Sequence, residues 1–504
     1  MLTASVTVDP AFVIGPVRAR TFGSFVEHLG RCVYTGIYEP EHASADADGF
    51  RGDVVELLHE LGVTTVRYPG GNFVSGYRWE DGIGPVDERP RRPDLAWHST
   101  DPNLVGVDEF MKWCRSAGVE PMMALNLGTR GVQEALDLLE YCNGTGDTHF
   151  ANLRRANGSK EPYAIRMWCL GNEMDGPWQI GHKTAEEYGR LAAETARAMR
   201  MMDPDLVLVA CGSSGSGMPT FGEWERVVLS ESYEQVDMVS AHAYYYEEDD
   251  DLGSFLASAI DMDHFIDSVT ATADAVRASG KHDKRIAISF DEWNVWYQNR
   301  AESKVPEGDD WPVAPVLLED NYNVADAVVV GNLLISLLRH TDRVHSASLA
   351  QLVNVIAPIM TEPGGRSWRQ TTFHPFSLTA RHASGEVLRV AIDAPTYDTA
   401  KFGESPVLDA VATHDPETGD VAVFAVNRSV DQDLDLTVNV RGADGLHLAE
   451  ALTLSHPDPM KQATVDDPDS VLPSVNESAA VDGKRASAIL PPVSWTMLRL
   501  TQRG

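Results

Sequence analysis

Between about residues 20 and 380, short apolar runs alternate eight times with amphipathic, helix-like stretches. That period leaves very few folds open. The runs are 21–26 (TFGSFV), 63–67 (VTTVR), 119–125 (VEPMMAL), 164–170 (AIRMWCL), 206–211 (LVLVAC), 236–241 (VDMVSA), 286–290 (IAISF) and 347–353 (ASLAQLV). Between them lie patterns such as 53–61 (DVVELLHEL), 107–117 (VDEFMKWCRSA) and 184–201 (TAEEYGRLAAETARAMRM). The first has Asp53 as an N-cap candidate and Gly62 as a C-cap candidate. Eight such units predict an α/β chain closed into a (β/α)8 TIM barrel. An open doubly wound sheet is the competing arrangement, but no GxGxxG fingerprint follows the first run.

After about residue 385 the texture changes. The runs 421–426 (VAVFAV), 434–440 (LDLTVNV) and 493–500 (VSWTMLRL) are separated by turn-rich stretches such as DPETGD and HPDP. This pattern predicts a β-sandwich. The opening ASVTVDPAFVIG also alternates and is placed to add a strand to it. The expected division is a barrel over 18–383 and a sandwich built from 1–17 plus 384–504. The length of 504 residues allows both units.

The formal net charge is −34, which repels phosphate backbones and anionic bilayers alike, so neither nucleic acid nor a membrane is an expected partner. The most apolar segment, 324–338 (VADAVVVGNLLISLL), carries Asp326 and Asn332 and is too short to span a bilayer. The N-terminal MLTASVTVDP lacks the basic and apolar regions of a signal peptide, so a cytoplasmic location is expected and the Asn-x-Ser/Thr matches carry no glycan. The five cysteines, Cys32, Cys114, Cys142, Cys169 and Cys211, include no CxxC pair and read as buried thiols. The acidic run EEDDD at 247–251 reads as a solvated loop, with a calcium site as the alternative, and GSSGSG at 212–217 as a flexible connection.

In a barrel of this kind, chemistry sits at the C-terminal ends of the strands. Polar residues gather there: Glu27-His28 after the first run, Arg67 and Asn72 after the second, Asn126 after the third, Asn172-Glu173 after the fourth. His242 and Tyr244 follow the sixth, Asp291-Glu292-Trp293-Asn294 the seventh, and Gln351 and Asn354 belong to the eighth. Strands four and seven lie across a closed eight-strand ring from each other, so Glu173 and Glu292 would face across one mouth. Glycoside hydrolysis needs such a pair. One acid protonates the leaving oxygen, and the other attacks the anomeric carbon or activates water.

The stretches FGSFVEHLGRCVYTGIYEP (22–40), VRYPGGNFVSGYRWEDGIGP (66–85), LAWHSTDPNLVGVDEFM (95–111), LGNEMDGPW (170–178) and SFDEWNVWY (289–297) resemble the family 51 glycoside hydrolases, the α-L-arabinofuranosidases. The resemblance implies a barrel with a jelly-roll-like β-sandwich that includes the N-terminal segment. It implies an exo-acting, retaining enzyme that releases terminal arabinofuranose from arabino-oligosaccharides or arabinoxylan fragments by double displacement. By motif, Glu173 of GNE would be the acid/base and Glu292 of DEW the nucleophile. Asn172 would donate to the sugar 2-OH, while Tyr244 and Arg67 would hold Glu292 ionised. Glu27, Asn72 and Gln351 would hold the other hydroxyls, with Glu27 alternatively tied to Arg31. Trp97 and Trp296 would be apolar platforms, and the polar loop around Trp97 suggests exposure. His242 and His28 would serve as hydrogen-bonding partners. A homo-oligomer, often a hexamer, is also implied.

No HExxH or zinc-spaced His/Cys cluster occurs, so neither a metal nor any other cofactor is expected. A metallohydrolase would have to recruit His28, His242 and His345. Two other readings stay open at this point. The same machinery could have β-xylosidase or endo-glucanase specificity, or the barrel could bind sugar without catalysis.

Overall fold

The computed structural model describes residues 1–298, 304–442 and 445–502. Eight parallel strands close into a barrel: β1 Gly23–Phe25, β2 Thr65–Tyr68, β3 Glu120–Ala124, β4 Met167–Leu170, β5 Val207–Ala210, β6 Met238–Tyr245, β7 Ala287–Val295 and β8 Val344–Leu349. Each pairs with the next, and the ring closes where Ser348 and Leu349 of β8 meet Gly23 and Ser24 of β1. Their buried residues explain the near-continuous apolar runs, since both faces of a barrel strand are covered.

The strand boundaries differ from the sequence reading in instructive ways. The fourth strand starts only at Met167, because Ala164 has a left-handed φ of 55°. The sixth and seventh strands run longer than their apolar runs, so His242, Tyr244 and Glu292 lie within strands rather than after them. A register shift between Ser240 and His242 marks a bulge beside these residues, a common way of re-aiming a side chain. The eighth strand is Val344–Leu349, so Gln351 and Asn354 belong to the following loop.

The intervening helices pack their apolar faces on the ring. Helix α1, Gly52–Leu61, buries Val54, Val55, Leu57, Leu58 and Leu61, each contributing roughly 1.5–3 kcal/mol if fully buried. Its C-cap is Gly62 at φ 82°, as expected, but its N-cap is Arg51. Asp53 sits inside the first turn, where it accepts from Arg51 and Ser44.

The second unit is a sandwich of a five-stranded and a seven-stranded sheet. The N-terminal segment enters both. Leu2–Val8 lies parallel to Leu434–Val440 in the first, and Val13–Pro16 edges the second against Glu386–Leu388. Alternate residues such as Val6, Val8, Leu436 and Val438 fill the space between the sheets together with Leu408, Val423 and Leu498.

The most apolar segment of the chain forms the long helix Val324–Arg339, buried along nearly its whole length. It packs on barrel and sandwich at once, which is why it is apolar all round. A Cβ at Gly331 would run into the Trp495 ring. Its polar Asn332 is satisfied by Asp409 and Arg428 from the sandwich. No helix among the described residues is long and apolar enough to cross a membrane. All five cysteines are buried and free.

Candidate active site

The strand ends converge on a cavity of about 450 Å³ at the C-terminal mouth of the barrel. Glu27, Asn72, Trp97, Glu173, Tyr244, Glu292, Trp296 and Gln351 line it, while Arg67, Asn172 and His242 are buried beside them.

Glu173 is reached by a tight turn out of β4. Gly171 has φ 100° and Glu173 itself φ 44°, a region that costs a non-glycine residue about 1–2 kcal/mol. The turn sets the carboxylate between two donors: His242 Nδ1 lies 2.9 Å from Oε1, and the Trp178 indole N–H donates to Oε2 at 2.7 Å.

Glu292 projects from β7 opposite His242 of β6. Arg67 Nη1 donates to its Oε1 at 2.7 Å, and the Tyr244 hydroxyl donates to Oε2 at 2.7 Å. His242 Nδ1 is 3.7 Å from the same Oε2. Burial pushes the Glu292 carboxyl up, but His242, Arg67 and the Tyr244 bond outweigh it and hold the group below the usual carboxylate range. Tyr244 is pushed well above its ordinary value by burial and by Glu292, so it stays a neutral donor. Burial would lower His242, yet Glu292 and Glu173 together raise it.

One oxygen of Glu173, one nitrogen of His242 and one oxygen of Glu292 lie within 4.8 Å of one another. These three donors could hold a metal ion, a cluster that the sequence spacing does not reveal. The other histidines a metal reading would recruit are elsewhere. His28 is engaged by Asp101 and Tyr68, and His345 lies at the start of β8, at the opposite end of the barrel.

Arg67 links the two halves of the site. Its Nη2 donates to Asn172 Oδ1 at 2.6 Å, which orients the Asn172 amide so that its NH2 faces other partners. That NH2 has only long contacts, 3.4 Å to Asn72 Oδ1 and 3.5 Å to Gln179 Oε1, and is available to a ligand. Beneath, Asp291 accepts from Ser289 and lies 3.9 Å from Arg67 Nε.

Glu27 explains the Pro69-Gly70-Gly71 turn. A Cβ on Gly70 would overlap the Glu27 side chain, and one on Gly71 would sit 2.8 Å from its Oε2. Its carboxyl accepts from Phe73 N–H and Trp97 Nε1 at 2.9 Å each, and from Gln351 Nε2 at 3.1 Å. The alternative tie to Arg31 does not form, because Arg31 pairs with Glu319. Trp97 is also not exposed. The hairpin Arg92–Asp94/Ser99–Asp101 folds back over the mouth and leaves Trp97 only 9% accessible. Trp296 stacks edge-on to Tyr244 at 5.0 Å.

Burial raises Glu27 to about 8 against an ordinary 4.5, with the Phe73 and Trp97 bonds pulling the other way. The folded chain therefore holds a proton that the unfolded chain has released. Stability from this group is full below about 4.5 and is lost as pH rises through about 8. Asp94, raised to about 7 mainly by burial, adds the same sign. Glu27→Gln should make this decline shallower in thermal midpoints recorded from about pH 5 to 8, with the raised Asp94 and Asp175 among the groups that supply what remains. A variant whose midpoint fell as steeply as the parent's would place the proton elsewhere.

Several strand-end residues serve the scaffold instead. Asn126 caps its own turn, Asn294 donates to the carbonyls of Ala350 and Ile356, and Asn354 ties the loops at Arg31 and Thr361. The GSSGSG connection is anchored through Ser213 to Glu225 and through Ser214 to Asp175, and Ser214 reaches the cavity.

A closed (β/α)8 barrel with two buried glutamates facing each other at its C-terminal mouth is a glycoside hydrolase framework. The model of the α-L-arabinofuranosidase 1 domain matches residues 57–265, and that of the α-L-arabinofuranosidase C-terminal domain matches 291–494. The chain is 58% identical over 501 residues to an intracellular exo-α-(1→5)-L-arabinofuranosidase of Streptomyces lividans, covering 99% of this chain and 75% of that protein. It is 56% identical over 503 residues to an exo-α-(1→6)-L-arabinofuranosidase of Bifidobacterium longum, covering 98% and 96%. Among solved structures, a family 51 α-L-arabinofuranosidase from Bifidobacterium longum superposes with a TM-score of 0.95 at 49% identity, covering 99% of each chain. The arabinose complex of the Thermotoga maritima α-L-arabinofuranosidase gives 0.88 at 34%, covering 99% and 100%. The chain belongs to the family 51 α-L-arabinofuranosidases.

Proposed function

We propose that this chain is an exo-acting, retaining α-L-arabinofuranosidase that releases terminal arabinofuranose from arabino-oligosaccharides or arabinoxylan fragments, with Glu292 as nucleophile and Glu173 as acid/base. The observation that carries the reading is the approach of the two carboxylates to within 4.8 Å. Retaining pairs, whose carboxyl groups stand about 5–5.5 Å apart, bring their nearest oxygens this close, whereas inverting pairs keep the groups roughly 6.5–9.5 Å apart to admit a water.

In the first displacement a Glu292 oxygen bonds to the anomeric carbon, the glycosidic C–O bond breaks, and Glu173 gives its proton to the leaving oxygen. In the second, Glu173 takes a proton from water, whose oxygen displaces Glu292 and restores the starting configuration. Arg67 and Tyr244 keep Glu292 ionised and aimed, and His242 bridges the two acids. The Asn172 NH2 donates to the sugar 2-OH, Glu27, Asn72 and Gln351 hold the remaining hydroxyls, and Trp97 and Trp296 supply apolar walls.

Tyr244→Phe removes a hydrogen bond that favours ionised Glu292. Its expected effect is a kcat/KM loss of about 10–100-fold, with the acidic limb of the pH profile moved towards neutral pH. An unmoved acidic limb would separate Tyr244 from the nucleophile.

The names of the relatives support an intracellular site of action and α-L-arabinofuranosyl groups as the part of the substrate released. We further read a homo-oligomer, with a hexamer as its expected size, and a domain division of 18–383 against 1–17 plus 384–504, which accords with the sheet topology. The test is p-nitrophenol release from aryl α-L-arabinofuranoside, β-D-xylopyranoside, α-L-arabinopyranoside and β-D-glucopyranoside, each with and without EDTA. EDTA-insensitive turnover of the arabinofuranoside alone is expected. Turnover of the xyloside or glucoside instead would remove the furanose assignment, and loss with EDTA would bring a metal into the three-donor cluster.

A further inference from the structure

At the opposite end of the barrel from the two glutamates lies an open cavity of about 710 Å³. Its wall includes the first residues of β3, β5, β6 and β7, and the segment Arg18–Arg20 that leads into β1. Four cations, Arg18, Arg20, Lys284 and Arg285, face it, against two acids, Glu120 and Asp237.

Both acids are already matched. Glu120 accepts a two-pronged bond from Arg20 at 2.7 and 2.5 Å. Asp237 accepts from Arg200 at 2.7 Å and from the Leu208 N–H at 2.8 Å. Arg18, Lys284 and Arg285 are then in excess. Arg18 donates Nε to the Thr341 carbonyl at 2.9 Å, and Lys284 donates to the carbonyls of Glu234 and Val236 at 3.0 and 2.6 Å. Among the described residues none of the three has a carboxylate within ion-pair distance. Asp342, the acid whose field reaches Arg18, is exposed and makes no pair with it. The acids whose fields reach Lys284 are Asp237 and, more weakly, Glu234, but Asp237 is paired with Arg200 and Glu234 with His282. Burial lowers the proton affinity of Arg18, of Lys284 and of His345, which also lines the cavity. That is the response of basic groups desolvated without a matching acid.

Three uncompensated cations converging on one cavity run against a chain with 41 basic and 75 acidic residues. We propose that this cavity binds a phosphate-type dianion, either free phosphate or the monoester of a small metabolite. A tetrahedral oxyanion has acceptors enough for two guanidinium forks and an ammonium at once, and these charge-assisted bonds are the strong ones. The site lies at the far end of the barrel from the catalytic mouth, so its ligand does not compete with the sugar.

The experiment is isothermal titration of the full chain with inorganic phosphate at constant ionic strength, beside chloride and a pentose 5-phosphate, for the parent and for Arg285→Ala and Arg18→Gln. Saturable binding of phosphate but not chloride is expected. Each variant should weaken it about tenfold or more, while the KM for an aryl arabinofuranoside stays within about twofold of the parent in saturating phosphate. Arg285 is exposed, so its variant should keep the fold and the comparison holds if Arg18→Gln fails to fold. Tighter binding of the ester than of phosphate would identify a metabolite, and equal binding free phosphate. Heats equal to those of chloride, unchanged affinity in Arg285→Ala, or competition with the arabinofuranoside would overturn the proposal.

Discussion

Glu292→Ala should lose turnover by about 10⁴-fold or more on every substrate, good leaving group or poor, because the nucleophile that forms the covalent intermediate is gone. The loss is expected mainly in kcat, since the sugar contacts through Glu27, Asn72 and Gln351 remain. The substitution also strips a carboxylate from Arg67, Tyr244 and His242. Arg67 then keeps only the more distant Asp291, 3.9 Å from its Nε, and breaking a buried pair typically costs about 3–5 kcal/mol, so folding must be checked by circular dichroism and by the less disruptive Glu292→Gln. A second readout makes the role specific. The space vacated by the carboxylate admits a small anion, and azide there can attack the anomeric carbon as Glu173 protonates the leaving oxygen. One C–O bond breaks and one C–N bond forms in a single displacement, so the product from an α-arabinofuranoside is the β-azide. Recovered rate with inverted product, identified by NMR, is the expected result. Full activity in a folded Glu292→Ala would falsify the nucleophile assignment, and azide product of retained configuration would move that role to another residue.

The parts of this molecule legible in the sequence are those set by local periodicity or by an interruption of it. Eight apolar runs predicted the barrel, because a strand buried on both faces has to be apolar along its length. Glu173 and Glu292 stood out because a carboxylate ending or interrupting such a run is costly without a purpose. What stayed hidden depends on contacts made far along the chain. Trp178 belongs to the stretch LGNEMDGPW, yet nothing in its neighbours' polarity says that its indole turns back onto Glu173. The only signal was the turn-rich MDGPW, which brings residues five apart together. Trp97 reads as exposed because its loop is polar, but that loop folds over the mouth and spends its indole N–H on Glu27. The ends of the eighth run were misplaced for a related reason. Leu352 and Val353 are apolar because their loop is buried, not because the strand continues. The Arg67 network joins residues more than a hundred positions apart, and only ring closure makes them neighbours.

The same geometry makes Glu173→Ala a graded rather than a uniform lesion. Its two jobs weigh differently with the leaving group. For a natural aglycone, a sugar alcohol of high pKa, bond cleavage needs a proton delivered as the C–O bond breaks, and the variant should lose about 10²–10⁴-fold. For a dinitrophenolate, which leaves as a stable anion, the first displacement should be nearly unimpaired. The second displacement still suffers, because water then lacks the base that takes its proton. The intermediate on Glu292 should accumulate, giving a burst of phenol followed by slow turnover, and kcat and KM should both fall. Azide, which needs no base, should relieve the second step and yield the azide of retained configuration, the opposite stereochemistry to that from Glu292→Ala. His242 and Trp178 lose their shared acceptor in this variant, so Glu173→Gln, which still offers one, is the control for displacement of those side chains. Equal losses on dinitrophenyl and alkyl arabinofuranosides, without a burst and without azide relief, would take the acid/base role away from Glu173. It would leave the residue a structural partner of His242. A steep dependence on leaving-group pKa in the variant, beside a shallow one in the parent, is the outcome expected of an acid/base with an oxygen within 4.8 Å of the nucleophile's.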